Sequence, residues 1–188
     1  MSQHKTLIRL LLFLLAIPQG MLGQTTNGTL FFISNAHLDT QWNWDVRTTI
    51  NEYVRNTLQQ NFTLLDKYPN LVFNHEGAIR YMWMKEYYPD LYAQLKEHVA
   101  QGRWHISGCA VDANDVMVPS AESVMRNWLY ANQFFKKEFG VRGGYDVMLP
   151  DCFGFSYALP SLMHHCGFKG FHTAKLAWGS ADYDQLPP

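Results

Sequence analysis

Leu30-Phe31-Phe32-Ile33-Ser34-Asn35-Ala36, followed at once by His37-Leu38-Asp39, is the stretch that decides the fold. A short run rich in aromatic and β-branched side chains reads as a buried strand, and the polar triplet after it reads as the loop that the strand opens into. The same arrangement returns 112 positions later, where Tyr145-Asp146-Val147-Met148-Leu149 runs into Pro150-Asp151-Cys152-Phe153-Gly154. If the two strands lie in one sheet, His37, Asp39 and Asp151 converge beyond its edge.

The sequence between them supplies the helices that such a sheet requires. From Asp45 to Tyr68, the residues Val46, Ile50, Tyr53, Val54, Leu58, Phe62 and Leu65 recur at steps of three and four, and Pro69 stops the pattern. Leu71-Val72-Phe73-Asn74 reads as a second strand. Ile79 to Ala100 reads as a helical region broken at Tyr88-Pro89, because the residue before a proline avoids helical backbone. Trp104 to Gly108 is a third strand. Ser120 to Phe139 is a helix capped by Ser120 and stopped by Gly140. Tyr157 to Cys166 gives a shorter helix, and Gly170-Phe171-His172-Thr173 begins a fifth strand. Strand and helix alternating at this spacing imply an α/β fold, a mostly parallel sheet with helices on both faces. Ligands of such sheets bind beyond the carboxyl ends of the strands.

Residues 1-23 read as a signal peptide: Lys5 and Arg9 precede the apolar run Leu10 to Ile17, which gives way to Pro18, Gly20 and Gly23. That run is far shorter than the roughly 20 residues of a membrane-spanning helix. Residues 24-188 are then an exported portion with no membrane span. The formal net charge of −1, with Lys and Arg scattered along the chain, offers no footprint for nucleic acid. Aromatic residues make up 15% of the chain, which suits a core of large rings and also suits stacking on sugar faces. Cys109, Cys152 and Cys166 have no zinc-finger spacing and sit in apolar or strand-end surroundings, so no disulfide is expected.

An imidazole and two carboxylates are donors that suit zinc. Each motif also has a plainer reading: the His37-x-Asp39 pair can cap the following helix, and Asp151 can cap the helix beginning near Ser156 or Tyr157. Pro150 stiffens the approach to Asp151, Phe153 offers an apolar wall, and Trp42 and Trp44 place rings on the first loop. Asp112, Asp115, Asp182 and Asp184 read as solvated loop carboxylates, and His75, His105 and His172 as hydrogen-bonded packing residues.

Taken together, the motifs resemble glycoside hydrolase family 38, the α-mannosidases. The resemblance lies in Ala36-His37-Leu38-Asp39-Thr40-Gln41-Trp42, in Val118-Pro119-Ser120-Ala121-Glu122-Ser123 with Asn127-Trp128-Leu129-Tyr130 and Phe134 to Gly140, in Leu149-Pro150-Asp151-Cys152-Phe153-Gly154-Phe155-Ser156, and in Thr173-Ala174-Lys175-Leu176-Ala177-Trp178. It implies an exo-acting, retaining α-mannosidase holding one Zn2+, whose substrate is a mannose-containing glycan. By matching positions it implies His37, Asp39 and Asp151 as metal ligands, Asp151 also as nucleophile, and Trp42 and Phe153 as walls of the terminal sugar's subsite. It further implies that the general acid and a fourth ligand, a histidine, lie beyond residue 188. The segment alone is therefore expected to be the incomplete, inactive N-terminal portion of a catalytic domain. Localisation follows the source: periplasmic or secreted in a bacterium, lysosomal or secreted in a eukaryote.

Ala121 stands where the family commonly has glycine, and Cys109-Ala110-Val111-Asp112 replaces a segment often richer in Trp and acidic residues. Two other classes remain open at this point. A metal-dependent carbohydrate deacetylase also uses Asp and His on an α/β scaffold, but it typically adds an HxxxH pair, and no two histidines here are four apart. A non-catalytic sugar-binding relic is the other.

Overall fold

The computed structural model describes residues 32–141 and 143–175. The expected signal peptide, the start of the first strand, Asp182 and Asp184 lie outside them. The chain divides into Met1–Phe32 and Ile33–Pro188, and every strand and helix named below belongs to the second unit.

Five short strands are present among the described residues: β1 (Ser34–Asn35), β2 (Phe73–His75), β3 (Trp104–Ile106), β4 (Asp146–Met148) and β5 (Gly170–His172). Their pairings are parallel. β1 pairs with β2 through Asn35 opposite Asn74, β2 with β3 through His75 opposite Ile106, and β4 with β5 through Val147 opposite Phe171. The helices between them are α1 (Val46–Thr48, Thr49–Val54 and Arg55–Lys67), α2 (Ala78–Tyr87), α3 (Pro89–Ala100), α4 (Ala121–Phe139) and α5 (Leu159–His165). The α/β class expected from the alternation is thus observed.

Two details differ from the expected single sheet. The ladders form one group of three strands and one of two, and the Cys109 amide meets the Asp146 carbonyl at 3.5 Å where they adjoin. Gly108 makes that crossing possible. Its φ of +58° suits glycine, and a Cβ there would lie 2.6 Å from the Met148 Cβ. The strands are also shorter than the apolar runs suggest. Bonds such as Ser107 N–H to the His75 carbonyl (3.1 Å) and Leu149 N–H to the His172 carbonyl (2.9 Å) nonetheless continue the pairing past their ends.

Helix punctuation follows local chemistry. The Ser120 hydroxyl accepts from the Ser123 amide at 3.2 Å, and Gly140 closes α4 in a left-handed conformation. Pro89 starts α3, and Tyr88 before it leaves helical backbone, with φ −135° and ψ 57°. The wide π-helical turn Thr49–Val54 is not visible in the apolar spacing. It brings the buried Thr49 hydroxyl to the Thr40 carbonyl at 2.8 Å and to the Trp44 indole N–H at 2.8 Å, fixing the loop after β1 to α1.

Two cores form. The first gathers Leu58, Phe73, Tyr81, Trp104 and Phe135; the second gathers Val147, Leu149, Trp128, Leu159 and Phe168. Helix α4 serves both, sending Ala131 and Phe135 into the first and Val124 and Trp128 into the second. Much of the aromatic content is therefore core, although Trp42 (69% exposed) and Phe153 (81%) are not. Cys109, Cys152 and Cys166 form no disulfide, as expected.

Candidate metal centre

His37 and Asp39 leave β1 on its exit loop, and Asp151 leaves β4 on its own. The structure brings the three side chains together: one ligand atom from each lies within 4.8 Å of the others. His37 Nε2 is 3.2 Å from Asp39 Oδ1 and 3.9 Å from Asp151 Oδ2. Tetrahedral ligands at about 2.1 Å from zinc stand about 3.4 Å apart, so these separations bracket what one ion needs. The other ring nitrogen, Nδ1, donates to Glu76 Oε1 at 2.7 Å.

The electrostatics agree with that geometry. The pKa of His37 is raised above its ordinary value, first by the hydrogen bond to Glu76, with burial opposing and the charges of Glu76 and Asp39 assisting. A position that welcomes a proton on Nε2 welcomes a cation beside it. Cys152, adjacent to Asp151, is buried and passes its thiol to the Asn114 carbonyl at 3.2 Å. Burial pushes that thiol up to about 11, with Asp115, Glu76 and Asp151 adding to the effect.

Neither plainer reading of the acidic motifs describes the structure. The residue capping α1 is Asp45, whose carboxylate accepts from the Thr48 amide at 2.8 Å. Helix α5 begins only at Leu159, behind Ala158, with no side-chain cap. Asp39 and Asp151 are therefore left for the shared cluster. Lys175 Nζ lies 2.5 Å from Asp151 Oδ1 and 4.9 Å from the centre of the Phe153 ring. A cavity of about 410 Å³ opens over His37, Asp39, Asp151, Asp115 and Phe153. Trp42 does not line it. Its ring meets Trp44 edge-on at 5.9 Å on the neighbouring loop surface.

Four residues differ from their expected character, His105 and His172 because both lie exposed instead of packed. Asp112 is more than a solvated loop carboxylate: still 38% exposed, it lies 3.0 Å from the guanidinium of the buried Arg80 and accepts a hydrogen bond from the Thr40 hydroxyl. Arg80 also donates to the Leu38 carbonyl, between the two candidate ligands of the first loop. His75 packs as expected, yet apart from a marginal contact with the Ala36 backbone neither ring nitrogen reaches a hydrogen-bond partner. Behind Asp112 stands Asn127 on α4. It accepts from the Val111 amide at 2.8 Å and donates to the Asp112 carbonyl (3.0 Å) and to Asn114 Oδ1 (2.8 Å).

Residues 27–186 match the family described as Glycosyl hydrolases family 38 N-terminal domain. The chain belongs to that family. The match begins just past the expected signal peptide and runs through both acidic motifs. Among curated proteins, the family 38 chain is 36% identical over 148 residues to "Alpha-mannosidase G" of Dictyostelium discoideum, covering 79% of this chain and 13% of that protein. It is 32% identical over 159 residues to human "Alpha-mannosidase 2C1", covering 85% of this chain and 15% of that protein. The chain therefore spans about a seventh of the length of these relatives. Among solved structures, an α-mannosidase from Enterococcus faecalis V583 superposes with a TM-score of 0.63 at 20% identity, over 75% of this chain and 16% of that one. A 4-α-glucanotransferase from Thermococcus litoralis superposes with a TM-score of 0.56 at 15% identity, over 76% of this chain and 21% of that one. These two likenesses speak to the fold.

Sequence reasoning passed over Glu76, Arg80 and the pairing of Lys175 with Asp151. One signal for Glu76 was available. It directly follows β2, so the rule that drew attention to the carboxyl ends of β1 and β4 applies to it equally.

Proposed function

We propose that this chain is part of a zinc-dependent, retaining α-mannosidase that removes terminal α-mannosyl residues from glycans. The reading is carried by one observation: His37, Asp39 and Asp151 come from loops 112 positions apart and meet at the mouth of one cavity. Membership of family 38 supports glycoside hydrolysis, and the names of the relatives support mannose as the sugar.

His37, Asp39 and Asp151 would hold the metal, which when bound supplies a fixed positive charge that orients carboxylate and sugar hydroxyls. The Asp151 carboxylate attacks the anomeric carbon, forming a glycosyl ester while the bond to the leaving oxygen breaks and that oxygen takes a proton from an acid. Water then cleaves the ester, and the two inversions give net retention. Lys175, on Asp151 Oδ1, restrains the carboxylate's rotation, and Phe153 offers an apolar face to the sugar. By family resemblance the acid and a fourth ligand come from outside this segment, so the segment alone is expected to be inactive.

Asp151→Asn in the full-length protein tests the assignment. Hydrolysis of an aryl α-mannoside should fall by on the order of 10⁴-fold or more while the thermal midpoint stays close to wild type. A mutant with near wild-type turnover would remove Asp151 from the nucleophile role. Export through residues 1-23 is part of the same proposal, and the amino-terminal sequence of the mature protein tests it.

A further inference from the structure

The carboxylate of Glu76 is buried at the end of β2, 3% exposed, and its Oε1 stands 2.7 Å from His37 Nδ1. Burying a carboxylate is costly unless it is paired, so a carboxylate in this place calls for an explanation. The backbone that follows it is held in place. Just beyond Glu76, Ala78 N–H reaches the Ala110 carbonyl at 3.0 Å and Ile79 N–H the Val111 carbonyl at 2.9 Å. Gly77 between them has φ +81°, and a Cβ there would stand 1.8 Å from Arg80 Nη1, so the turn admits only glycine while Arg80 keeps its place. Arg80 in turn holds the Leu38 carbonyl and Asp112, and Asp112 holds Thr40. The side chain and the loop of His37 are thus fixed from the same short segment.

A neutral imidazole has one N–H and one lone pair. Carboxylates stand at both ring nitrogens, and the shorter contact to the buried Glu76 (2.7 Å, against 3.2 Å to the more exposed Asp39) keeps the hydrogen on Nδ1 and leaves the lone pair on Nε2, the atom that faces Asp39 and Asp151. A carboxylate acceptor does more than a neutral one, because its charge raises the electron-donor strength of the opposite nitrogen. We infer that Glu76 is a positioning residue, fixing the tautomer and orientation of His37 so that Nε2 presents its lone pair to a divalent metal ion. This role rests on the proposed metal site and adds to it a residue that binds neither metal nor sugar.

The test uses the full-length protein, freed of metal and titrated with zinc against a chromophoric chelator. Glu76→Ala should weaken zinc binding by about 10- to 100-fold, the loss typical of an outer hydrogen-bonding partner. Glu76→Gln keeps the size of the side chain, and its amide can present either oxygen or N–H to Nδ1, so a smaller loss, about 3- to 10-fold, is expected. Nitrogen chemical shifts of His37 in the metal-free protein at alkaline pH give a readout that a purely structural role would not move. Wild type should show the Nδ1–H tautomer, and both variants should show a mixture. If the alanine variant fails to fold, the glutamine variant decides. Zinc affinity within twofold of wild type together with an unchanged tautomer overturns the role of Glu76 alone. A wild-type protein that takes up no zinc overturns the metal reading, a different failure seen before any variant is measured.

Discussion

Strands β1 and β2 lie side by side, and each carries a histidine at its carboxyl end, in opposite circumstances. His37 sits two residues past β1 on the exit loop, with Glu76 on one ring nitrogen and Asp39 and Asp151 near the other. His75 is the last residue of β2 and is fully buried, stacked on Phe73 and close to the rings of Tyr81 and Trp104. Carboxylates raise the pKa of the first. Burial pushes the second down to about 3, helped by the charges of Arg80 and His37 and opposed only by the Ala36 backbone. Asn35 lies opposite Asn74, so His37 stands one residue beyond the level of His75, and that single step separates an imidazole that faces charge from one that serves as an aromatic filler.

The sharpest way to break this contrast is to remove each ring. His37→Ala should weaken zinc binding by more than the roughly 100-fold that marks loss of an outer partner. The melting temperature of the metal-free protein should barely move. If both stay at wild-type values, His37 is no ligand. His75→Ala should do the reverse, costing about 2 to 4 kcal/mol of stability in denaturant unfolding through the cavity it leaves. Its zinc affinity, measured on the folded protein, should stay within a few-fold of wild type.

Acid gives the next effect. With the folded pKa of His75 near 3 and the unfolded value near 6.5, the unfolded chain takes up the proton first. The contribution of His75 is therefore intact above about pH 6.5 and falls at up to roughly 1.4 kcal/mol per pH unit toward pH 3. His37 works with the opposite sign. Its raised pKa contributes stability that is present below the unfolded value and lost as pH rises through the folded one. His75→Phe isolates the first term. Because the ring has at most a marginal contact with the Ala36 backbone to lose, the variant should lie within about 1.5 kcal/mol of wild type at pH 7. The difference from wild type should then move in the variant's favour as the pH falls, and a constant difference between pH 7 and pH 4 would contradict a buried neutral His75.

The smallest effect belongs to a site remote from both rings. Glu138 on α4 lies 2.7 Å from Lys85 and 3.4 Å from Lys96, and these partners hold its carboxyl below the usual range. Glu138→Gln should cost about 1 kcal/mol at pH 7. The cost should be lost as pH falls through the folded pKa of Glu138. Zinc affinity in this variant should equal wild type.

Much of this was legible in the sequence because the signals are local. Ser120 and Gly140 mark the ends of α4, Tyr88-Pro89 separates α2 from α3, and the return of an acidic triplet after a strand points to His37, Asp39 and Asp151. What escaped is nonlocal. Glu76 gains its meaning from a ring 39 positions away, and Asp112 from Arg80, 32 positions away and folded back by Gly77. Strand lengths escaped for a related reason: an apolar run promises burial that the fold need not deliver, since Phe32 (89%) and Ile33 (66%) lie exposed just before β1, and a ladder needs a partner at every step. The π turn at Thr49 escaped because its cause is Thr49 reaching Thr40 and Trp44, which apolar spacing does not record.

The sharing of α4 between two cores has a thermodynamic consequence. From that helix, Asn127 ties the loop of Asp112, which steadies the His37 side, to Asn114, whose carbonyl receives the thiol next to Asp151. A metal gripping His37, Asp39 and Asp151 would cross-link the loops of β1 and β4, strands that carry no ladder between them. Binding would then act as a noncovalent staple, adding RT ln(1 + [L]/Kd) to the stability of both clusters at once. Metal removal would accordingly lower the cooperativity with which the two halves unfold, as well as the temperature at which they do so.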